Sequence, residues 1–314
     1  MILTDYLRST KDITWDYAKQ CGIQYGTIRL PEEKEFDICQ RAHWQEVIRR
    51  FDEFGIRPTV VEPLPNNLHD HIKTGDSHRD ESIEKVIKML SFMDEFDIRT
   101  LCFNFMAHVG WHRTSLNILE RGDALVTGFD LNGYVPGKER ITEKELWDNY
   151  TYFINAVIPY AEKYHIRLAL HPDDPPISRL GGVSRIMTSH ENIKKAISIG
   201  NSQFLGITMC QACYYIMGEQ LEQVVEEMKN QIFFIHFRNV TGTKEHFRET
   251  FHDNGDINMQ CMIALYKKNG IHVPIRVDHV PTMAGETETS GYSALGRLYA
   301  IGYLRGLLEA SEGM

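Results

Sequence analysis

Four side chains able to bind a metal follow short apolar segments in the C-terminal half of the chain. His171 follows the segment Arg167-Leu-Ala-Leu, and Cys210, His236 and Asp278 follow three further apolar runs. Each residue taken alone is more often a packing residue. Because all four stand at the same end of successive segments, we interpret them as ligands of one metal. Sulfur, two imidazoles and a carboxylate suit a divalent ion such as Zn²⁺, Fe²⁺, Co²⁺ or Mn²⁺.

A second group of side chains could act on a substrate bound beside that metal. His279 directly follows Asp278, and Tyr292 comes a short loop later. With an unperturbed pKa of ~6.5, a histidine can move a proton near neutral pH, although it can equally be a packing residue.

Arginine and asparagine side chains also occur near the candidate ligands. Arg238 and Asn239 follow His236, and Trp111 and Arg113 lie in a long polar segment. They could hold an anionic, hydroxylated substrate through forked guanidinium and amide contacts, and the alternative is salt bridging at the surface.

The spacing Cys210-x-x-Cys213 raises the question of a redox pair or a structural zinc site. Redox pairs of this type begin a helix in a thioredoxin-like unit, and structural zinc needs a second pair of ligands that the chain lacks here. We therefore interpret Cys213 as a bystander or part of a pocket wall.

Eight short, largely apolar segments have the composition of strands buried on both faces. They are Met1–Leu7, Gln24–Leu30, Pro58–Glu62, Thr100–Phe105, Arg167–Leu170, Phe204–Thr208, Ile232–Ile235 and Val273–Val277. Helical patterns occur between and after them, at Asp12–Cys21, Arg41–Phe54, His78–Phe96, Glu143–Tyr164, Glu191–Ile199, Gly218–Met228, Ile257–Lys268 and Gly291–Glu309.

This alternation predicts an α/β protein, a single (β/α)₈ barrel domain over residues 1–314 with enlarged loops at its C-terminal face. The alternative is an open doubly wound sheet, which needs a phosphate-binding turn. The nearest candidate, Gly133 to Lys138, lacks the required spacing. Residues 106–142 hold five glycines without a clear period, and we expect them to form a long lid-like loop or substrate wall.

Composition restricts the functional class. The net charge of −9 opposes non-specific nucleic-acid binding, which also disfavours an endonuclease for damaged DNA. No apolar run approaches the ~18 residues of a membrane span, and residues 1–10 lack a signal-peptide pattern. Six dispersed cysteines in a chain of this size favour a reducing compartment, so we expect a cytoplasmic protein without nucleic-acid or membrane partners.

The chain resembles the mannonate dehydratases, a family of metal-dependent (β/α)₈ sugar-acid dehydratases, over most of its length. The motifs that carry the resemblance are Val60-Val-Glu-Pro-Leu-Pro, His69-Asp-His-Ile-Lys, Cys102-Phe-Asn-Phe-Met, Trp111-x-Arg-Thr, His171-Pro-Asp-Asp-Pro-Pro, His236-Phe-Arg-Asn-Val, Gly255-Asp-Ile-Asn-Met, Asp278-His, Gly291-Tyr and Gly296-Arg-Leu-Tyr-Ala-Ile-Gly-Tyr.

The resemblance implies dehydration of D-mannonate to 2-dehydro-3-deoxy-D-gluconate in glucuronate catabolism, usually with Mn²⁺. It implies metal ligands at His171, Cys210, His236 and Asp278 and a proton-transfer pair of His279 and Tyr292, without deciding which is the base. Asn104, Trp111, Arg113, Arg238 and Asn239 are expected to hold the sugar acid, and the protein is expected to form a homodimer.

The sequence departs from the family pattern in two segments. After Trp111 the family commonly has Thr-Arg-Thr-Asp-Leu, where this chain has His112-Arg-Thr-Ser115-Leu. After the cysteine ligand the family has Thr-Gly-Ser, where this chain has Gln211-Ala-Cys213. We expect both segments to lie where the substrate is held. The alternatives are a dehydratase of another sugar acid, a metal-dependent sugar isomerase or epimerase, and a silent paralogue that binds a sugar acid.

Overall fold

In a computed structural model that describes residues 1–287 and 291–311, eight parallel strands close into a barrel. Their order around the barrel follows the chain, and the last strand pairs with the first. The strands are β1 (Ile2–Arg8), β2 (Tyr25–Arg29), β3 (Arg57–Val61), β4 (Thr100–Phe103), β5 (Arg167–Leu170), β6 (Leu205–Cys210), β7 (Ile232–Phe237) and β8 (Pro274–Val277).

Helices connect the strands and cover the outside of the barrel, which confirms the predicted (β/α)₈ architecture. Arg41–Phe54 ends at Gly55, whose φ of +80° is the left-handed geometry that glycine adopts without strain. The α-helices of the described residues are Ile13–Gln20, Arg41–Phe54, Asn66–Thr74, Arg79–Glu95, Glu143–Tyr164, His190–Gly200, Gln211–Met217, Leu221–Met228, Met259–Lys268 and Ala294–Ala310.

The core lies between the barrel and its helices, and strand residues also fill the barrel. All residues of β6, β7 and β8 are buried. Strands covered on both faces need apolar residues at nearly every position. This is the reason that continuous apolar runs, rather than alternating ones, predicted these strands.

Residues 106–142 are not the irregular loop that the sequence predicts. They contribute the strands Ser115–Leu119 and Leu125–Asp130 to a four-stranded sheet, which we call the cap sheet. Its other two strands, Val240–Thr243 and His246–Glu249, follow β7 and pair with each other as a hairpin. Glycine-rich composition obscured the period of the first two strands. They pair with each other, and Leu125–Asp130 also pairs with His246–Glu249, more than 100 residues away.

Two helices of the described chain have no counterpart in the sequence prediction. Asn66–Thr74 follows β3, and Gln211–Met217 starts directly after Cys210. Both are shorter than ten residues, and such segments give a weak periodic signal. No helix within residues 1–287 and 291–311 combines the length and apolar composition needed to cross a bilayer.

Candidate active site

The four predicted metal ligands meet at the carboxyl ends of four neighbouring strands. His171 and Asp278 directly follow β5 and β8, Cys210 ends β6, and His236 is the penultimate residue of β7. Cys210 pairs in register with His236 across β6 and β7. Parallel strands of a barrel present their carboxyl ends at one face, which is where barrel enzymes place their active sites.

The donor atoms of these residues converge on one point. His171 Nε2 lies 3.1 Å from His236 Nδ1, and an oxygen of Asp278 lies 3.6 Å from the same His236 nitrogen. The Cys210 sulfur and the two imidazole donors lie within 4.8 Å of one another. Two nitrogens bound to one ion at ~2.1 Å are separated by about 3 Å, so this spacing fits ligands of a shared metal.

Neighbouring groups fix the orientation of both imidazoles. His171 Nδ1 donates a hydrogen bond of 2.6 Å to the carbonyl oxygen of Pro172. On His236, Nε2 lies 2.9 Å from an oxygen of Glu62. A proton held on these nitrogens leaves the lone pairs of His171 Nε2 and His236 Nδ1 directed at the common point, as in many metal sites.

The Cys210 sulfur is stabilised as a thiolate. Burial by itself raises the pKa of this thiol, but the hydrogen bond from Cys213 and the charge of Arg238 outweigh burial and hold the pKa well below its usual value. The pKa of His171 is raised to about 9, because its contact with Cys210 outweighs the effect of burial. A thiolate beside imidazole donors is the form in which cysteine binds metals.

Charge counting supports a divalent cation at this point. One connected network of buried ion pairs holds three arginines and four acidic residues, namely Arg113, Arg238, Arg276, Glu62, Asp174, Glu249 and Asp278. The pKa values of the four carboxyl groups are all lowered, because the charges facing them outweigh burial. With the thiolate included and His171 neutral, as metal binding requires, the network carries two net negative charges, which a divalent ion neutralises. Without a metal, the raised pKa of His171 allows a proton on its ring to offset one of these charges.

The predicted proton-transfer pair also lies at this face. The rings of His279 and Tyr292 are 5.1 Å apart, and the Tyr292 hydroxyl is 3.4 Å from an Asp278 oxygen. Burial, followed by the charge of Asp278, raises the pKa of Tyr292 well above its usual value. The tyrosine therefore keeps its proton in this environment.

One side of the His279 ring is anchored. Its Nδ1 lies 3.0 Å from an oxygen of Glu249 and 2.8 Å from a nitrogen of Arg238. Glu249 can accept a proton from Nδ1, whereas Arg238 can donate one when Nδ1 is bare. The surroundings therefore fit either tautomer, and Nε2 is the nitrogen left to exchange a proton.

A cavity of about 970 Å³ opens above these residues. Of the residues predicted to hold substrate, Asn104 and Trp111 line it, and the Trp111 ring lies 5.2 Å from that of His279. Its wall also contains Lys73, which the sequence reasoning missed. Burial lowers the pKa of Lys73, and its ammonium group donates a hydrogen bond of 3.1 Å to Asp70.

Three residues predicted to hold substrate lie behind the cavity wall instead. Arg113 and Arg238 have fully buried guanidinium groups that pair with Asp174 and Glu249. Asn239 donates to the carbonyl oxygens of His252 and Ile257. Most of their donors are directed at protein acceptors, so direct contact of these three residues with substrate stays a prediction.

The segments that depart from the family pattern also lie outside the cavity wall. The His112 ring packs edge-on against Tyr134, and Ser115 begins a strand of the cap sheet. Gln211 is buried, where it accepts a hydrogen bond from Tyr266. We expected these positions to lie where the substrate is held, and none of them is among the residues that line the cavity.

Glu62 and Glu249 are the other residues that sequence reasoning missed. Glu62 directly follows β3 and has the same strand-end signal that identified His171. Glu249 ends a strand of the cap sheet, in a segment that gave no barrel signal. Of these two, only Glu62 could have been found from the sequence, by looking for acidic, histidine or cysteine side chains directly after every predicted strand.

The fold and the site define a (β/α)₈ barrel with a candidate metal centre at the carboxyl ends of its strands. The sequence model of a family described as D-mannonate dehydratase (UxuA) matches residues 6–138 and 131–314. The chain therefore belongs to the mannonate dehydratase family, whose members are named as enzymes that remove water.

Individual relatives agree with this assignment. The chain is 33% identical over 296 residues to mannonate dehydratase 2 of Halalkalibacterium halodurans, which covers 82% of this chain and 84% of the relative. It is 32% identical over 292 residues to the mannonate dehydratase of Oceanobacillus iheyensis, with 83% of each protein covered. The crystal structure of mannonate dehydratase from Streptococcus suis serotype 2 superposes with a TM-score of 0.90 at 29% identity, covering 99% of this chain and 93% of that one.

Proposed function

We propose that this protein dehydrates D-mannonate to 2-dehydro-3-deoxy-D-gluconate. The observation that carries the proposal is the convergence of His171, Cys210 and His236 donor atoms within 4.8 Å at the barrel face where the proton-transfer pair also lies. Family membership supports the substrate, because the relatives that match most of the chain are named for mannonate.

His171, Cys210, His236 and Asp278 would hold a divalent ion, and Mn²⁺ is the ion that we propose. Such an ion supplies Lewis acidity that offsets negative charge developing on the substrate carboxylate when its neighbouring proton leaves. The buried arginines and carboxylates keep the four ligands in place before substrate binds. Metal content, measured by elemental analysis after purification, tests this assignment.

His279 and Tyr292 would move the two protons that the dehydration requires. With Nδ1 held by Glu249, His279 Nε2 takes the proton from C2 of the sugar acid. Tyr292 holds its proton at neutral pH and delivers it to the departing C3 hydroxyl, which leaves as water. The enol that results rearranges to the 2-keto-3-deoxy acid.

Asn104, Trp111 and Lys73 would bind the sugar acid, because they line the cavity that contains His279 and Tyr292. Two donor positions of the Lys73 ammonium have no hydrogen-bond partner among the described residues, and they suit substrate hydroxyls or a carboxylate oxygen. Arg113, Arg238 and Asn239 would act indirectly, by holding the carboxylates and loops behind the wall. The part of residues 106–142 that carries Trp111 would cover the bound substrate as a lid.

The decisive experiment incubates the Mn²⁺-loaded protein with D-mannonate and measures the 2-keto-3-deoxy acid. A chelator-treated sample and D-gluconate, the C2 epimer, serve as controls. We expect product from mannonate alone, and only with metal. A product that has lost no water would identify an isomerase or epimerase, and binding without turnover in metal-loaded protein would identify a silent paralogue.

The cellular setting belongs to the same proposal. We propose a cytoplasmic homodimer that serves glucuronate catabolism, on the basis of cysteine usage and the resemblance to the family. Light scattering after size exclusion tests the dimer, and a monomeric mass would contradict it. Growth of a deletion strain on glucuronate tests the pathway.

A further inference from the structure

Cys210 and Cys213 occupy the first turn of one helix. Cys210 is the N-cap of helix Gln211–Met217, and Cys213 is its third residue. This is the arrangement of redox-active Cys-x-x-Cys pairs, in which the first cysteine stands at the start of a helix. We interpreted Cys213 from the sequence as a bystander, in part because such a helix was not expected there.

The two sulfurs contact the same cation. A nitrogen of Arg238 lies 3.5 Å from the Cys210 sulfur and 3.1 Å from the Cys213 sulfur. Because both distances are measured to the same nitrogen, the two sulfurs lie no more than 6.6 Å apart. Both residues are free cysteines and fully buried, so neither has another sulfur partner among the described residues.

Cys213 is not among the donors that converge on the candidate metal position, although it contributes to holding Cys210 as a thiolate. The donor atoms that converge belong to His171, Cys210 and His236. A second thiol held beside a thiolate can also capture that sulfur after oxidation.

We propose that Cys210 and Cys213 form a reversible disulfide when hydrogen peroxide reaches the metal-free site. The Cys210 thiolate attacks one peroxide oxygen, which breaks the O–O bond and gives a sulfenic acid and hydroxide. The Cys213 sulfur then attacks the Cys210 sulfur and expels a second hydroxide. Protons from Cys213 and solvent turn both hydroxides into water, so two sulfurs lose one electron each and peroxide gains two.

The disulfide and the metal compete for the same sulfur. A sulfur bound to Cys213 has no thiolate to offer a metal, and a metal-bound thiolate is shielded from peroxide. Because such coupling is reciprocal, bound metal opposes oxidation as much as oxidation opposes metal binding. This competition rests on the metal site of the proposed function, whereas the disulfide itself does not.

The test treats metal-free and Mn²⁺-loaded protein with hydrogen peroxide and then blocks the remaining thiols with N-ethylmaleimide. Mass spectrometry measures the mass of the proteolytic peptide that contains both cysteines. In metal-free protein we expect that peptide to carry no maleimide and to lack two hydrogens. We expect bound metal to slow this change, because a metal-bound thiolate is shielded from peroxide. Dithiothreitol should restore both thiols and Mn²⁺ binding.

Two variants complete the experiment. Cys213→Ser should form no disulfide, and its Cys210 should advance to a sulfinic acid that dithiothreitol does not reduce. Cys261→Ser, which removes an exposed cysteine, should behave as the wild type. Recovery of two maleimide-labelled cysteines, or of Cys210 sulfinic acid, from peroxide-treated metal-free wild type would overturn the proposal. These masses are independent of mannonate turnover, so failure of the proposed function would be recognised separately.

Discussion

Glu249 Oε1 lies 3.0 Å from Nδ1 of His279, although Glu249 belongs to the cap sheet and His279 follows the last barrel strand. The same carboxylate pairs with Arg113 and Arg238. The cap sheet is therefore more than a cover over the barrel. It supplies the group that orients the candidate catalytic histidine.

Replacing Glu249 tests that relationship. Glu249→Gln removes one charge from a buried ion network, and we expect a loss of about 3–5 kcal/mol in the free energy of unfolding. Because His279 loses its anchor, kcat should fall more than KM changes. Steady-state kinetics and urea unfolding measure both effects, with Glu245→Gln on the same hairpin as the exposed control. Normal kcat in the folded variant would contradict the positioning role.

The proton-transfer pair can be separated from the metal ligands. Acid–base catalysis contributes about 10²–10⁴-fold in rate, so His279→Asn and Tyr292→Phe should each lower kcat by that order. Metal content should stay near that of the wild type, because neither side chain belongs to the group formed by His171, Cys210 and His236. His279 lies instead in a second cluster with Asp174 and Glu249. Loss of metal together with activity in His279→Asn would instead make His279 a ligand. His78→Asn, an exposed histidine, is the control.

Glu62 should tune the metal without touching it. Its oxygen lies 2.9 Å from His236 Nε2, and partners of this kind typically change metal affinity 10–100-fold when they are mutated. We expect Glu62→Gln to weaken Mn²⁺ binding by that factor in a competition titration with a chelating dye. Glu84→Gln, on an outer helix, is the matched control. Unchanged affinity would remove Glu62 from the metal site.

Lys73 should contribute to substrate binding more than to chemistry. Its buried ammonium lines the cavity and has a single hydrogen-bond partner, Asp70, among the described residues. We expect Lys73→Met to raise KM for D-mannonate about 10-fold or more with a smaller change in kcat, since a lost charged hydrogen bond costs about 1.5–3 kcal/mol. Lys88→Met, on the outer helix, is the control. A fall in kcat alone would assign Lys73 to the chemical step.

We expect the free energy of unfolding to decrease at acidic pH, in part because of the buried His252. Burial lowers the pKa of His252 to about 4, against about 6.5 in an unfolded chain. Between these values the unfolded chain binds more protons, so folding weakens as pH falls through that window.

We expect this histidine to account for about 2 kcal/mol of the stability lost between about pH 7 and pH 5. His252→Gln should remove that part of the pH dependence, as measured by urea unfolding at both pH values. His272→Gln is the exposed control. An identical pH dependence in the wild type and His252→Gln would contradict the assignment.

The sequence by itself determined the barrel and brought its four candidate metal ligands to one face. Continuous apolar runs identify strands covered on both faces, and a parallel barrel brings all their carboxyl ends to one face. His171, Cys210, His236 and Asp278 could therefore be placed together without any distance being known. Their local context carries the information, because each follows its own strand directly.

Only the tertiary structure decided what the arginines and Glu249 do. Arg113 pairs with Asp174 and Glu249 across 61 and 136 residues of chain. No local pattern encodes such a pairing, so an arginine that binds substrate and one that neutralises a buried carboxylate have the same sequence signal. The position of Cys213 beside Cys210 likewise depended on a seven-residue helix too short to give a clear period. Contacts between distant segments depend on how the elements pack, which periodicity along the chain does not describe.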